Sequence, residues 1–284
     1  MQSESIYQRK LNIFARRTAN SGIEPIETTL SPVFDADFGE AIAYRMELKI
    51  NSLVSGVYSS KEYLSPSLDE KLAVRYALRS VQKATVAQAE LAKSGLPCSV
   101  LFVRCPVALI YADGVGELLA SFLDKLGSQS GYDLLEAASK ICLEFDGSLT
   151  DADGETLERA LAEIRALQIK TAVDGLGGEG FALEKLISAC PDYAFTSARL
   201  NALTEDVQKK SALAPVVNLV LGLGGRVIAD GIENDDQLRE YRSRGVFGFI
   251  PAKSYVGRFG VSGEAKTLGS VISLSKAEYG GERQ

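Results

Sequence analysis

The stretch Lys140-Ile-Cys-Leu-Glu-Phe-Asp146, then Asp151-Ala-Asp-Gly-Glu-Thr-Leu-Glu-Arg-Ala-Leu-Ala-Glu-Ile-Arg-Ala-Leu167, then Gln168-Ile-Lys-Thr-Ala-Val-Asp174, decides the fold. Its outer pieces are short apolar runs that each end in an acid, which is how buried strands of a parallel sheet read. Thr150 and Asp153 form a capping-box start to the helix between them, which runs through Leu167. The same alternation extends in both directions. Upstream lie a helix over 68–94, a strand over 98–104 and helices over 115–126 and 134–139. Downstream, strands at 193–197, 226–230 and 246–250 are separated by helices at 181–189, 205–223 and 235–244.

Before the alternation begins, Ile23 to Leu30 and Glu40 to Ile50 read as two strands, joined by the turn-rich Ser31 to Gly39. That connector is too short for a helical crossover, so the two strands are expected to be antiparallel. The sum is an α/β chain with eight strands, read as a single (β/α)₈ TIM-like barrel whose first strand is reversed. Three parts are expected: an amphipathic N-terminal helix at 1–21, a barrel domain at 22–260 and a C-terminal extension at 261–284. The extension carries a short helix at 267–275 and a frayed Gly-Gly-Glu-Arg-Gln end. The N-terminal helix is expected to cover one end of the barrel or to form a dimer seam.

Composition narrows the chemistry. The 284 residues contain no histidine, which removes Ser-His-Asp and Cys-His nucleophilic sites, His-ligated zinc and H-E-x-x-H proteases. Lys and Arg total 31 against 37 Asp and Glu, a net charge of -6 without the cationic excess of a non-specific nucleic-acid binder. No run approaches the roughly 18 apolar residues of a membrane span, and no signal-peptide core is visible, so a cytoplasmic protein is expected. Cys98, Cys105, Cys142 and Cys190 lack C-x-x-C spacing and are read as buried free thiols of a reducing compartment.

Active sites of parallel barrels are built at the C-terminal strand ends, here Arg104, Glu144 with Asp146, Asp174, Ser197, and Asp230 with Glu233. Carboxylates meeting at one mouth suit a hard divalent cation, which takes oxygen ligands. The Gly175, Gly177 and Gly180 spacing satisfies G-x-G-x-x-G. The next strand, however, ends in Thr196-Ser197-Ala198-Arg199 with no acid for a ribose, so a glycine loop at the barrel mouth is expected instead of a dinucleotide site.

Several segments resemble the EAL domain of bacterial cyclic di-GMP phosphodiesterases: Leu167 to Gly177, Pro191-Asp-Tyr193, and above all Ala229-Asp230-Gly-Ile-Glu233-Asn-Asp-Asp-Gln237-Leu. The similarity extends back through Ile23-Glu-Pro-Ile, Gly39 to Tyr44 and Leu143-Glu144-Phe-Asp, covering residues 22–256 in the family's order. It implies a barrel with an antiparallel first strand and a metal-dependent diesterase mouth. The departures fall on that mouth. Where the family's signature glutamate follows the tyrosine of the second strand, this chain has Arg45, and its metal-binding asparagine corresponds to Arg104. Lys49 stands at the phosphate-contacting arginine, Gly175 at the second of the paired aspartates, and Phe195-Thr196-Ser197 at the segment carrying the catalytic lysine. Asp230 replaces a glutamate, Glu24 replaces a base-reading glutamine, and Glu144, Asp174 and Glu233 are retained.

The resemblance with these departures implies a catalytically inactive, regulatory EAL-like protein, with no cofactor and with a protein partner, or a second copy of itself, as its target. The alternative is a metal-independent receptor for cyclic di-GMP or another nucleotide, using a mouth of Arg45, Lys49, Arg104, Glu144, Asp174, Asp230 and Glu233. A residual Mg²⁺-dependent phosphodiesterase is the third reading. Within that mouth, Arg45 and Arg104 are expected to pair with Glu144 and Asp174.

Overall fold

The computed structural model describes residues 26–52, 56–58, 70–130, 134–147, 149, 153–178, 181–206, 210–255, 257, 266–267 and 269–271. The N-terminal helix expected at 1–21, Glu24, Thr150 and the last residues of the C-terminal extension lie outside this set. The strands are β1 Ile26–Asp35, β2 Ala41–Ser52, β3 Gly56–Tyr58, β4 Leu101–Arg104, β5 Ile141–Phe145, β6 Lys170–Leu176, β7 Tyr193–Thr196, β8 Arg226–Ile232, β9 Gly248–Pro251 and β10 Lys266–Thr267. The helices are α1 Glu70–Lys93, α2 Val115–Ser130, α3 Leu134–Ser139, α4 Gly154–Ala166, α5 Leu183–Ala189, α6 Ala198–Ala202, α7 Leu213–Gly222 and α8 Asp235–Arg242.

Parallel pairings run from β2 through β4, β5, β6, β7 and β8 to β9. The barrel closes through β1, which is antiparallel to both β2 and β9. The eight-stranded closed barrel with a reversed first strand is thus the one expected. β3 and β10 extend β2 and β1 outside the ring.

Alternation at a period of two sorts the side chains into two cores. The outward face carries Leu101, Val103, Leu143 and Phe145, which pack with helix residues such as Val81, Leu157, Leu161 and Leu238. The inward face is filled by Val33, Ala43, Phe102, Cys142, Ala172, Tyr193, Phe195, Ile228 and Ile250. Phe102 lies at the centre of this inner core, edge-on to Tyr193 at 4.9 Å and to Phe195 at 5.0 Å between ring centroids.

Several boundaries differ from the sequence expectation for identifiable reasons. The first strand continues to Asp35, so most of the expected connector is strand. The turn is confined to Ala36–Gly39, where the Asp35 Oδ1 accepts the Asp37 and Phe38 amides at 2.7 and 2.9 Å. Pro32 is tolerated within β1 because its partner Tyr44 sends its amide to Val100 O on the other side, so this pair exchanges no ladder bond.

Asp153 is itself the N-cap of α4, accepting the Thr156 amide at 3.0 Å, and not the inner partner in a box begun at Thr150. The helix expected over 205–223 starts earlier, at Ala198, and is divided: α6 tightens into a 3₁₀ turn at Leu203–Glu205, and α7 begins only at Leu213. Pro215 in the first turn of α7 cannot sit deep in a continuous helix. Thr267, expected in a helix, pairs with Thr29 in β10.

Cys105 and Cys142 are buried free thiols, but Cys98 is half-buried and Cys190 is exposed. Cys190 is the left-handed C-cap of α5, at φ 41°, which holds it at the surface. Burial pushes the Cys98 thiol up to about 12 and raises those of Cys105 and Cys142 as well, so these three are protonated near neutral pH. Among the described residues, no helix is long and apolar enough to cross a membrane.

Candidate functional site: an ion-paired barrel mouth

The inner faces of five strands carry an apolar residue and then, two positions on, a charged one: Ala43 and Arg45, Phe102 and Arg104, Cys142 and Glu144, Ala172 and Asp174, Ile228 and Asp230. A layer of charge therefore lies directly on the apolar inner core, at the C-terminal end of the parallel strands. Two of the acids are aimed by the same device. Gly175 at φ 90° and Gly231 at φ 80° follow Asp174 and Asp230, and the strand register slips at both places. Each is a bulge that only a residue tolerating positive φ sustains, and it turns the preceding aspartate toward the mouth.

The structure brings five of the seven anticipated residues together. Arg45 from β2 grips Glu144 with both arms of its guanidinium, Nε to Oε2 at 2.7 Å and Nη2 to Oε1 at 2.5 Å. Its Nη1 donates to Asp230 Oδ2 at 2.6 Å, and its Nη2 lies 2.9 Å from Asp174 Oδ2. The guanidinium carbon sits 4.5 Å above the Phe195 ring centroid, adding a cation–π contact from below. Arg104 from β4 donates to Glu144 Oε1 through Nε at 3.1 Å and Nη2 at 2.8 Å, and to Asp174 through Nη2.

Glu144 has no solvent exposure, Arg104 and Arg45 have 10 and 14%, and Asp230 has 23%. Burial alone would push the Glu144 carboxyl up, but Arg45 and Arg104 override it and hold it below the usual carboxylate range. Burial likewise opposes the charge on Arg45, and Glu144, Asp174 and Asp230 more than restore it.

Lys49 and Glu233 stand apart. Among the described residues, no ion pair joins either to the cluster, and Glu233 is exposed where β8 gives way to α8. Its backbone amide is taken by Gln237 Oε1 at 2.9 Å, which anchors the loop. Ser197, a strand-end candidate, is the N-cap of α6 and accepts the Leu200 amide at 3.1 Å. Gly177 and Gly178 turn the chain beside Leu200 and Ser197, in keeping with a glycine loop at this end.

A buried polar circuit that the sequence did not disclose holds Asp230 in place. Thr196 Oγ1 accepts the Asp230 amide at 2.9 Å and donates to Asn201 Oδ1 at 2.9 Å. Asn201 returns a bond from Nδ2 to Asp230 O at 2.5 Å, and Tyr241 O–H donates to Asn201 Oδ1 at 2.6 Å. Three side chains from β7, α6 and α8 thus fix both backbone groups of one residue in β8. Asn201→Ala, which strands Thr196, Tyr241 and the Asp230 carbonyl, is expected to cost about 1–3 kcal/mol in urea unfolding. A loss below about 0.5 kcal/mol, ordinary for a surface change, would show that the circuit does not support Asp230.

The oxygen set of Glu144, Asp174 and Asp230 has the chemistry of a hard-cation site, but two guanidiniums already lie among these carboxylates. A divalent ion 4 Å from either would be repelled by about 8 kcal/mol at an effective dielectric of about 20, twice the unit-charge figure. Two positive charges against three negative leave little net attraction for more. Among the described residues, no three acids or thiols are arranged to hold a metal ion. The mouth does not fit a metal-activated water.

Comparison with known proteins agrees with the topology. No curated protein sequence is significantly similar to the chain. The EAL enzyme Bd1971 in its cAMP- and cyclic-di-GMP-bound form superposes with a TM-score of 0.73 at 16% identity, over 97% of this chain and 70% of that one. The PaMucR phosphodiesterase in complex with c-di-GMP gives 0.68 at 16% identity, over 84% and 94%. An EAL domain protein from Listeria monocytogenes gives 0.64 at 17% identity, over 95% and 97%. At these identities the likeness concerns the fold. The sequence model of the EAL domain itself matches residues 24–249. With the match spanning nearly the whole barrel, the chain belongs to the EAL domain family.

Proposed function

We propose that this chain is a non-catalytic EAL domain that works as a regulatory, protein-binding module in bacterial signalling. One observation carries the reading: the Arg45 guanidinium lies among the three carboxylates at the mouth, bonded to Glu144 and Asp230 and in ion-pair contact with Asp174. Hydrolysis of a phosphodiester without histidine needs an activated water, and the groups that would generate it through a metal are committed to arginine. The mouth is equally unsuited to a phosphate, because Arg45 uses Nε and both Nη atoms on internal acids and the five-residue cluster is net negative.

Calorimetric titration with cyclic di-GMP, in EDTA and then in Mg²⁺ or Mn²⁺, tests this together with a product assay at high protein concentration. No turnover and the same absence of heat in both buffers are expected. Turnover that disappears in Asp174→Asn would overturn the non-catalytic reading. Binding that survives EDTA and is lost in Arg104→Ala would make the chain a metal-independent nucleotide receptor instead.

A further inference from the structure

We infer that the end of the barrel opposite the mouth carries an anion site, in which Lys170 and Arg226 together receive a dianionic phosphate group. The inference does not depend on the reading of the mouth. The parallel registers set Lys170 opposite Cys142, Tyr193 opposite Ala172 and Arg226 opposite Tyr193. Cys142, Ala172 and Tyr193 belong to the inner core, so Lys170 and Arg226 share its face where the strands begin. Only β7 separates β6 from β8, which leaves about 10 Å of sheet between them, a span that two long side chains can bridge jointly.

Arg226 is held by aromatic neighbours. Its guanidinium carbon lies 5.0 Å from the Phe247 ring centroid, and it is in hydrogen-bond contact with the phenol of the buried Tyr193, whose ring meets Phe247 edge-on at 5.5 Å. A guanidinium that contacts one ring and one phenol still has N–H donors for an oxyanion. Among the described residues, neither Lys170 nor Arg226 makes an ion pair. Two acids at this end are engaged elsewhere: Asp192 Oδ2 accepts the Thr171 amide at 2.8 Å and its hydroxyl at 3.4 Å, and Glu136 pairs with Lys140 at 2.8 Å. Lys140, Lys170 and Arg226 against Glu136 and Asp192 leave one net positive charge here, in a chain whose total is -6. A phosphate, with about two negative charges and several terminal oxygens, matches one ammonium and one guanidinium, whereas a carboxylate brings a single charge.

Calorimetric titration of the full chain in low-salt, phosphate-free buffer tests the site, with inorganic phosphate, a glycine-flanked phosphoserine peptide and acetate as probes. At least one of the two phosphates is expected to bind with a Kd below about 1 mM, and acetate at least about tenfold more weakly. Lys170→Ala and Arg226→Ala should each weaken phosphate binding by about tenfold or more, and the double variant should abolish it. If Arg226→Ala does not fold, Arg226→Gln, which keeps a long stem against Phe247, takes its place. No heat from either phosphate, an unchanged affinity in the double variant, or acetate binding as tightly as phosphate would each overturn the site. A peptide that binds about tenfold tighter than inorganic phosphate would assign the group to a phosphorylated partner, and equal affinities would assign it to a small phosphate compound.

Discussion

Glu144→Ala is expected to lower the free energy of unfolding by about 3–5 kcal/mol, the cost of removing one partner from a buried ion pair. The carboxylate has no solvent exposure and accepts four of the arginine N–H bonds at the mouth, from Arg45 Nε and Nη2 and from Arg104 Nε and Nη2. Alanine returns none of them, so both guanidiniums are left with the aspartates as their charged partners. Urea unfolding with an unchanged slope would read the loss, and a change below about 1 kcal/mol, the range of surface pairs, would show that the pairs are worth no more than those.

The same residue sets an acid limit. Burial raises the Glu144 carboxyl, but the two arginines hold it on balance below its ordinary value. Its contribution is therefore complete above the unfolded glutamate value of about 4.3 and is lost as the pH falls from there through the folded value. Wild-type stability should drop more steeply below that point than stability of the Glu144→Ala variant. Parallel acid curves would remove Glu144 as the cause.

Phe102→Ala is expected to cost about 3–5 kcal/mol through the apolar area lost and the cavity left behind. Phe102 is fully buried at the centre of the barrel interior and makes two edge-on aromatic contacts there. One of those partners, Phe195, also supports the Arg45 guanidinium. The variant should thus weaken the mouth as well as the core: combining it with Arg45→Ala is expected to cost less than the sum of the two single changes. Additive losses within about 0.5 kcal/mol would mean that the aromatic layer and the ion-paired layer are independent.

The barrel was legible in the sequence because its signals are local. Strand-like runs such as Ile141 to Phe145 and Tyr193 to Thr196 sit between helical segments at regular spacing, and the short link after β1 permits no helix, which forces the reversed first strand. The thiol positions were legible only in part. Cys190 follows an apolar helix and reads as core, yet the left-handed cap that ends α5 turns it outward, a choice made by backbone geometry and not by hydrophobicity. Ser197 likewise reads as a mouth residue and is spent on capping α6. Asn201, Thr196 and Tyr241 carried no motif at all, since their role exists only once β7, α6 and α8 meet at Asp230.

The identities of the mouth were likewise written in the chain. An alternation of two residues determines that Arg45, Arg104, Glu144, Asp174 and Asp230 share the inner face, and opposite charges in one cavity must pair. The pairing of Arg45 and Arg104 with Glu144 and Asp174 follows from the sequence, and the structure has it; what the chain could not decide by itself was that Arg45 also takes Asp230 and that Lys49 is left out. Arg45 reaches partners 99 and 185 residues away, and Lys49, on the same face of the same strand, stays out of the cluster. That selection depends on closure of the barrel, on two glycine bulges that re-aim the aspartates and on the height of the Phe195 ring. These are properties of strands packed against one another, and no single segment holds them.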